Sequence, residues 1–281
     1  MISSSPAIIN LAPTGMVASR SDNEHLPVTP EEIAQDGCAC IAAGASMIHL
    51  HARDAKGHAT ADPQIFADII GRIRQQHPDV ILIVTTSGRF WQDYERRSAV
   101  LALDGKAKPD MASLTMGSVN FSGQAGINDP DMIQRLAITM RDRDIKPEME
   151  IFDLGMINYS KYLIKKGIIK KPYYFNIIMG NVSSAQATLL HVATLVNDLP
   201  EDSIWCLAGI GRAQLSMNVL GLTAGYGVRV GLEDNLWTDS ERKIPASNVA
   251  MVKRIAALAN LLNRPPALPE ATRSLLGLPC K

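Results

Sequence analysis

The sequence predicts a (β/α)8 barrel, a single domain over residues 1–281, on three observations. Short apolar runs alternate with helical periodicities eight times along the chain. Several of the runs are apolar on both faces, as the strands of a parallel sheet covered by helices must be. No linker, low-complexity tract or shift in composition interrupts the alternation.

Ala7-Ile8-Ile9-Asn10-Leu11 reads as the first strand, ending in a loop at Pro13 and Gly15. Thr29-Pro30-Glu31-Glu32 then places threonine at the N-cap, proline at the first helical position and glutamate at the third, so a helix runs to about Ala43. Met47 to Asp54 is the second strand. Pro63 opens an amphipathic helix through Ile65, Phe66, Ile69, Ile70 and Ile73, closed by Pro78. Val80-Ile81-Leu82-Ile83-Val84-Thr85-Thr86 is a β-branched third strand running into a hydroxyl-rich loop with Ser87 and Gly88. A helix near Tyr94 to Leu103 precedes strand four, Met111 to Thr115, and the helix Pro130 to Arg143 precedes strand five, Lys146 to Phe152. Glu148 and Glu150 make strand five unusually polar. If they share its inner face they must be paired; in a loop they would be solvated.

A helix from Gly155 to Lys165, strand six at Tyr173 to Ile178, a helix from Ser184 to Leu199 and strand seven at Ile204 to Leu207 follow. Gly209-Ile210-Gly211-Arg212 is not a dinucleotide fingerprint, because Gln214 occupies the third glycine position. It leads into a helix with Leu215, Val219 and Leu222 on its apolar face. Gly227 to Gly231 is strand eight, and Ser247 to Asn263 the last helix.

Lys plus Arg equals Asp plus Glu at 28 each, so no overall field draws the chain to nucleic acid or an anionic membrane. Neither a leader pattern nor an apolar run of the ~20 residues needed to span a bilayer is present. Cys38, Cys40, Cys206 and Cys280 include no CxxC pair and suggest neither a disulfide framework nor a metal site, which suits a cytoplasmic protein.

Barrel active sites lie at the C-terminal strand ends, and here those ends are rich in chemistry. His49 and His51, two apart on one strand, project to the same face, either as two ligands of one metal ion or as buried core histidines with their own hydrogen bonds. Glu233 is the best-placed carboxylate to complete an open two-histidine, one-carboxylate site of the catalytic zinc type; Fe2+ and Mn2+ accept the same ligands. Thr85, Thr86 and Gly88 end strand three, and Ser113 and Thr115 strand four. Arg229 and Asp234 offer a cation and a free base, the bland reading being an ion-pair cluster that closes the barrel.

The segments His49-Leu50-His51-Ala52-Arg53-Asp54, Glu150-Ile151-Phe152-Asp153-Leu154-Gly155-Met156, Ala208-Gly209-Ile210-Gly211-Arg212 and Arg229-Val230-Gly231-Leu232-Glu233-Asp234-Asn235 closely resemble the β-keto acid cleavage enzyme family. Further likeness runs from Ala12-Pro13-Thr14-Gly15 to the C-terminal tail. The resemblance implies a zinc-dependent TIM barrel that condenses a β-keto acid with acetyl-CoA to give acetoacetate and a new acyl-CoA. It implies His49, His51 and Glu233 as metal ligands and Arg229 and Asp234 as catalytic groups. Thr85, Gly88 and Ser113 fall where the family contacts substrate, and Thr85 is also a candidate to hold a catalytic water. Where members acting on an amine-bearing substrate carry a glutamate in the first loop, this chain has Val17, so a substrate without a distal primary amine is expected. Phe90, Trp91 and Tyr94 could wall the far end of the pocket or pack at a subunit contact. A homo-oligomer is expected, a tetramer foremost. The competing functions are a metal-dependent aldolase or hydrolase on the same barrel, and a non-catalytic metal-binding scaffold.

Overall fold

The computed structural model describes residues 5–280. Its eight parallel strands are β1 (Ile8–Leu11), β2 (Met47–Leu50), β3 (Ile81–Val84), β4 (Met111–Thr115), β5 (Lys146–Ile151), β6 (Tyr173–Met179), β7 (Ser203–Gly209) and β8 (Gly227–Val230). They pair in sequence order and close, β8 against β1, with Asn10 opposite Arg229. The architecture is the predicted (β/α)8 barrel.

Helices α1 (Pro30–Ala42), α2 (Pro63–Gln76), α3 (Tyr94–Ser98), α4 (Pro130–Asp142), α5 (Leu154–Lys165), α6 (Leu189–Asn197), α7 (Gln214–Ala224) and α8 (Asn248–Leu261) cross between strands. The local signals work as the sequence suggests: the Thr29 side chain accepts from Glu32 N while the Glu32 side chain accepts from Thr29 N. In α2, Phe66, Ile69, Ile70 and Ile73 are buried against the barrel. Three expectations need correction. The helix near Tyr94 to Leu103 is α-helical only to Ser98 and continues as a 3-10 turn over Ala99–Ala102. The helix from Ser184 begins only at Leu189, where the Thr188 hydroxyl caps His191 N. In α7, Leu215 and Val219 are exposed and the inner face carries Gln214 and Asn218. These amides donate to Gly231 O at 3.0 Å and Arg229 O at 2.8 Å, and so tie the helix to the end of β8.

The inside of the barrel changes character from floor to mouth. Ile8, Met47, Ile81, Ile83, Met111, Tyr174, Ile204 and Cys206 fill the floor with apolar volume. Asn10, His49, Glu148 and Asn176, all buried, lie above them. A ninth helix, α9 (Pro269–Leu276), which the strand-helix alternation does not anticipate, covers the floor. Its Arg273, fully buried, donates to Asp79 O, Val80 O and Pro279 O and pairs with Asp110 at 2.9 Å.

Candidate active site

His49 lies near the end of β2 and His51 directly beyond it, both buried and with ring centroids 5.0 Å apart. The alternation of an extended chain puts them together, and a carboxylate fixes the first. His49 Nδ1 lies 2.6 Å from Glu148 Oε2, while Glu148 Oε1 accepts from the Asn10 and Asn176 amides. This network assigns the His49 proton to Nδ1 and turns the Nε2 lone pair inward. Glu148 and Glu150 therefore do share the inner face of β5, both buried and both paired. Burial pushes the Glu148 carboxyl up, but His49 outweighs it and holds the group below the usual range.

His49 Nε2 and His51 Nε2 are 3.2 Å apart, and Glu233 Oε1 is 3.2 Å from His51 Nε2 and 4.0 Å from His49 Nε2. Donor atoms so spaced suit one first-row divalent ion with bonds of about 2.0–2.2 Å. A second observation agrees: Glu233 Oε2 is buried without a hydrogen-bond partner among the described residues. Burial keeps His51 below the usual histidine pKa, which favours the neutral ring of a ligand, whereas at His49 burial is outweighed by the Glu148 and Glu233 charges, which raise it. Burial opposes ionisation of Glu233 too, but Arg229 and the two histidines hold it well below the carboxylate range. The neighbouring trio His49, Glu148 and Glu150 also brings three donor atoms together. Its short His49–Glu148 hydrogen bond marks it instead as the support that orients a metal-binding imidazole.

Arg229, on β8, is surrounded by carboxylates. Its Nε and Nη2 hold Asp234 at 2.8 and 3.1 Å, Nη2 also reaches Glu233 Oε1 at 2.7 Å, and Nη1 meets Glu150 Oε1 at 3.3 Å. Burial raises the Asp234 carboxyl above its usual pKa despite Arg229. Gly15, in the left-handed region at φ 64°, lets the first loop pass over Glu233, whose Cγ would lie 2.7 Å from any added Cβ. Arg53 ties that loop down through Gly15 O at 3.0 Å and Ala18 O at 2.9 Å. At Gly88 a Cβ would lie 2.3 Å from Ile127 O and 2.6 Å from Arg97 Nη1, so this residue too admits no side chain.

A cavity of about 470 Å³ opens at this mouth. Val17, His49, His51, Thr85, Gly88, Arg229, Glu233 and Asp234 all line it. Ser113 does not: it is buried, and its hydroxyl accepts from Thr86 N at 3.1 Å. Thr115, two residues on, reaches the cavity and donates to Glu150 Oε2 at 2.6 Å. Phe90, Trp91 and Tyr94 are not on the wall. Phe90 is 46% exposed, with its edge to Trp91, and Tyr94 bonds Thr139 beneath the Arg135 guanidinium. The aromatic wall comes from Phe121, Phe152 and Trp237. Thr115, named among the strand ends, and Glu150, expected to be paired if it faced inward, are wall residues to which sequence reasoning assigned no role, and Arg89 is one it did not single out. The inward alternation after Met111 and Glu148 carries a signal for the first two, whereas a loop residue such as Arg89 offers none.

The family described as beta-keto acid cleavage enzyme matches residues 6–278. The chain is 37% identical over 273 residues to the 3-keto-5-aminohexanoate cleavage enzyme of Fusobacterium nucleatum, covering 96% of this chain and 97% of that enzyme. It is 38% identical over 278 residues to the 3-oxoadipate:acetyl-CoA acetyltransferase of Cupriavidus necator, covering 98% and 95%. Among solved structures, the ternary complex of ObcA with C4-CoA adduct and oxalate superimposes at a TM-score of 0.78, with 21% identity, over 90% of this chain and 68% of that one. That likeness concerns the fold.

Proposed function

This chain belongs to the β-keto acid cleavage enzyme family, and on that premise we propose that it condenses a β-keto acid lacking a distal primary amine with acetyl-CoA, giving acetoacetate and a new acyl-CoA. The observation that carries the reading is the cluster of His49 Nε2, His51 Nε2 and Glu233 Oε1, with Glu233 Oε2 unpartnered, beside the Arg229–Asp234 pair. His49, His51 and Glu233 would hold a zinc ion, which would supply Lewis-acid polarisation of the keto acid's oxygens.

The chain's own groups do the rest. Asp234, gripped by Arg229 and raised in basicity by burial, takes the proton from the carbon between ketone and carboxylate. The carbanion attacks the acetyl carbonyl and expels CoA thiolate. The thiolate adds to the original ketone, and cleavage of the bond from that carbon to the former carbanion centre releases the new acyl-CoA. The remaining acetoacetate carbanion recovers the proton from Asp234. In this reading Thr85, on the wall of the same cavity, holds a water or substrate oxygen. Val17, 59% exposed where an amine-binding glutamate would be needed, leaves an ammonium end without a partner there. In the same reading the chain is a single catalytic domain and works as a cytoplasmic homotetramer. Four unpaired cysteines suit a reducing compartment, and the exposed Val182, Leu189 and Leu190 suit a subunit contact.

The test is zinc-loaded protein incubated with acetyl-CoA and a panel of β-keto acids, read by mass spectrometry. Equal amounts of acetoacetate and a new acyl-CoA are expected. Cleavage or hydrolysis products without any acyl-CoA across the panel would overturn the proposal in favour of an aldolase or hydrolase.

A further inference from the structure

The charged groups of the cavity nearly all have partners. Arg229 is taken by Asp234, Glu233 and Glu150, and Asp22 by the backbone and hydroxyl of Ser19. Two arginines of the wall, Arg89 and Arg242, make no ion pair among the described residues; Arg242 is exposed, and Arg89 is the one set into the wall. It is partly buried, and its Nε–H is buried without a hydrogen-bond partner. Burial lowers its basicity, and the Glu233 charge is near enough to oppose that.

Its position is nonetheless well defined. The guanidinium lies over the Phe121 ring at 4.2 Å, and Phe121 is braced edge-on by Phe152 at 5.7 Å. The backbone is pinned by Ser87 Oγ, which accepts from Arg89 N, and by Gln124, which donates to Arg89 O. An aromatic ring that holds a guanidinium by its face leaves the N–H donors along the edges free. Those edges match a carboxylate bidentately. An ammonium end would instead be repelled, in accord with Val17 in place of a carboxylate.

We propose that Arg89 is the specificity residue for the far end of the substrate and that this end is a carboxylate, so that the enzyme acts on β-keto diacids. The inference rests on the proposed acetyl-CoA reaction for its chemistry, but it is readable from binding alone.

The experiment compares 3-oxoadipate with the length-matched neutral 3-oxohexanoate and with 3-oxo-5-aminohexanoate on the zinc-loaded enzyme. It follows kcat/KM by acyl-CoA formation and Kd by calorimetry without acetyl-CoA. The diacid should be favoured over the neutral acid by at least about tenfold in both, the range of a hydrogen-bonded charge, and the amine should be poorest. Arg89→Gln should bring the diacid-to-neutral ratio close to one. Arg89→Lys, which keeps the charge and loses the planar fork, should fall between them and serves if the glutamine variant does not fold. A wild-type ratio near one, or a ratio that Arg89→Gln leaves unchanged, overturns the proposal. So does a loss confined to the KM for acetyl-CoA, which would assign Arg89 to CoA. If no acyl-CoA forms from any acid while the diacid still binds preferentially through Arg89, the reaction assignment falls and the specificity assignment stands.

Discussion

The two ends of the barrel both bury charge, and they do so differently. At the floor one carboxylate meets two guanidinium groups: Asp110 Oδ1 pairs with Arg273, and Oδ2 pairs with Arg74 and accepts from Leu82 N. Arg273 spends every nitrogen on this ion pair and on backbone carbonyls. At the mouth three carboxylates crowd one guanidinium, a fourth holds His49, and one oxygen of Glu233 has no partner. Surplus negative charge with unsatisfied donor atoms costs stability in the folded protein unless a cation joins it. The floor thus shows what this fold does with charge when only stability is at stake, and the mouth shows charge kept for chemistry.

The sharpest way to break this contrast is at the mouth. Glu233→Gln or His51→Ala should lower kcat/KM by about 10³-fold or more and abolish stoichiometric zinc, while the thermal midpoint of the metal-free protein stays within a few degrees. Collapse of the fold in the metal-free variants would mean that the mouth is structural after all. The floor makes the opposite prediction. Arg273→Met should cost about 3–5 kcal/mol of unfolding free energy, because Asp110 loses a buried partner, yet kcat/KM of the folded fraction should change by no more than about twofold. Urea midpoints read beside activity separate the two effects. Intermediate in size is Glu148→Gln, which keeps the hydrogen-bond acceptor for His49 but removes its charge. Zinc affinity should fall by about 10–100-fold, measured by competition with a chelator. An unchanged affinity would show that Glu148 merely fills the barrel.

Much of the mouth was legible in the sequence because its logic is local or periodic. His49 and His51 follow from the two-residue repeat of an extended chain, and Glu233 and Asp234 from the end of the last strand. The same repeat turns Glu148 and Glu150 inward, but it does not say what they meet. His49 and Glu148 are 99 positions apart and touch only across the closed barrel. Depth is likewise invisible: Ser113 and Thr115 face the same way, yet only Thr115 reaches the cavity. The floor was the least legible, since α9 is a short terminal helix whose Arg273 acts on Asp79 and Val80, some 194 and 193 positions away. Helix α7 misled because its inward positions carry Gln214 and Asn218, whose amides bond carbonyls at the end of β8, while Leu215 and Val219 face outward.

A last and smaller test concerns a charge that belongs to neither end. Asn248 accepts from Leu232 N at 2.9 Å and donates to Pro13 O at 3.0 Å, so it joins the loops that follow β8 and β1; it also donates to Asp36 Oδ2 on α1 at 2.7 Å. Burial pushes the Asp36 carboxyl from 3.8 up to about 6, with the Asn248 hydrogen bond opposing it. The folded protein therefore holds this proton more tightly than the unfolded chain does. Its stabilising contribution is complete below pH 3.8 and disappears as pH rises through about 6. By linkage the change is at most about 3 kcal/mol, and contact with water trims it. Asp36→Asn keeps an oxygen for Asn248 and carries no charge. It should flatten the fall in urea midpoint between about pH 4 and pH 7 and make the variant the more stable protein at neutral pH. If the wild-type slope survives the substitution, the pH dependence must come from the mouth carboxylates, and the line drawn between charge kept for chemistry and charge kept for the fold would have to move.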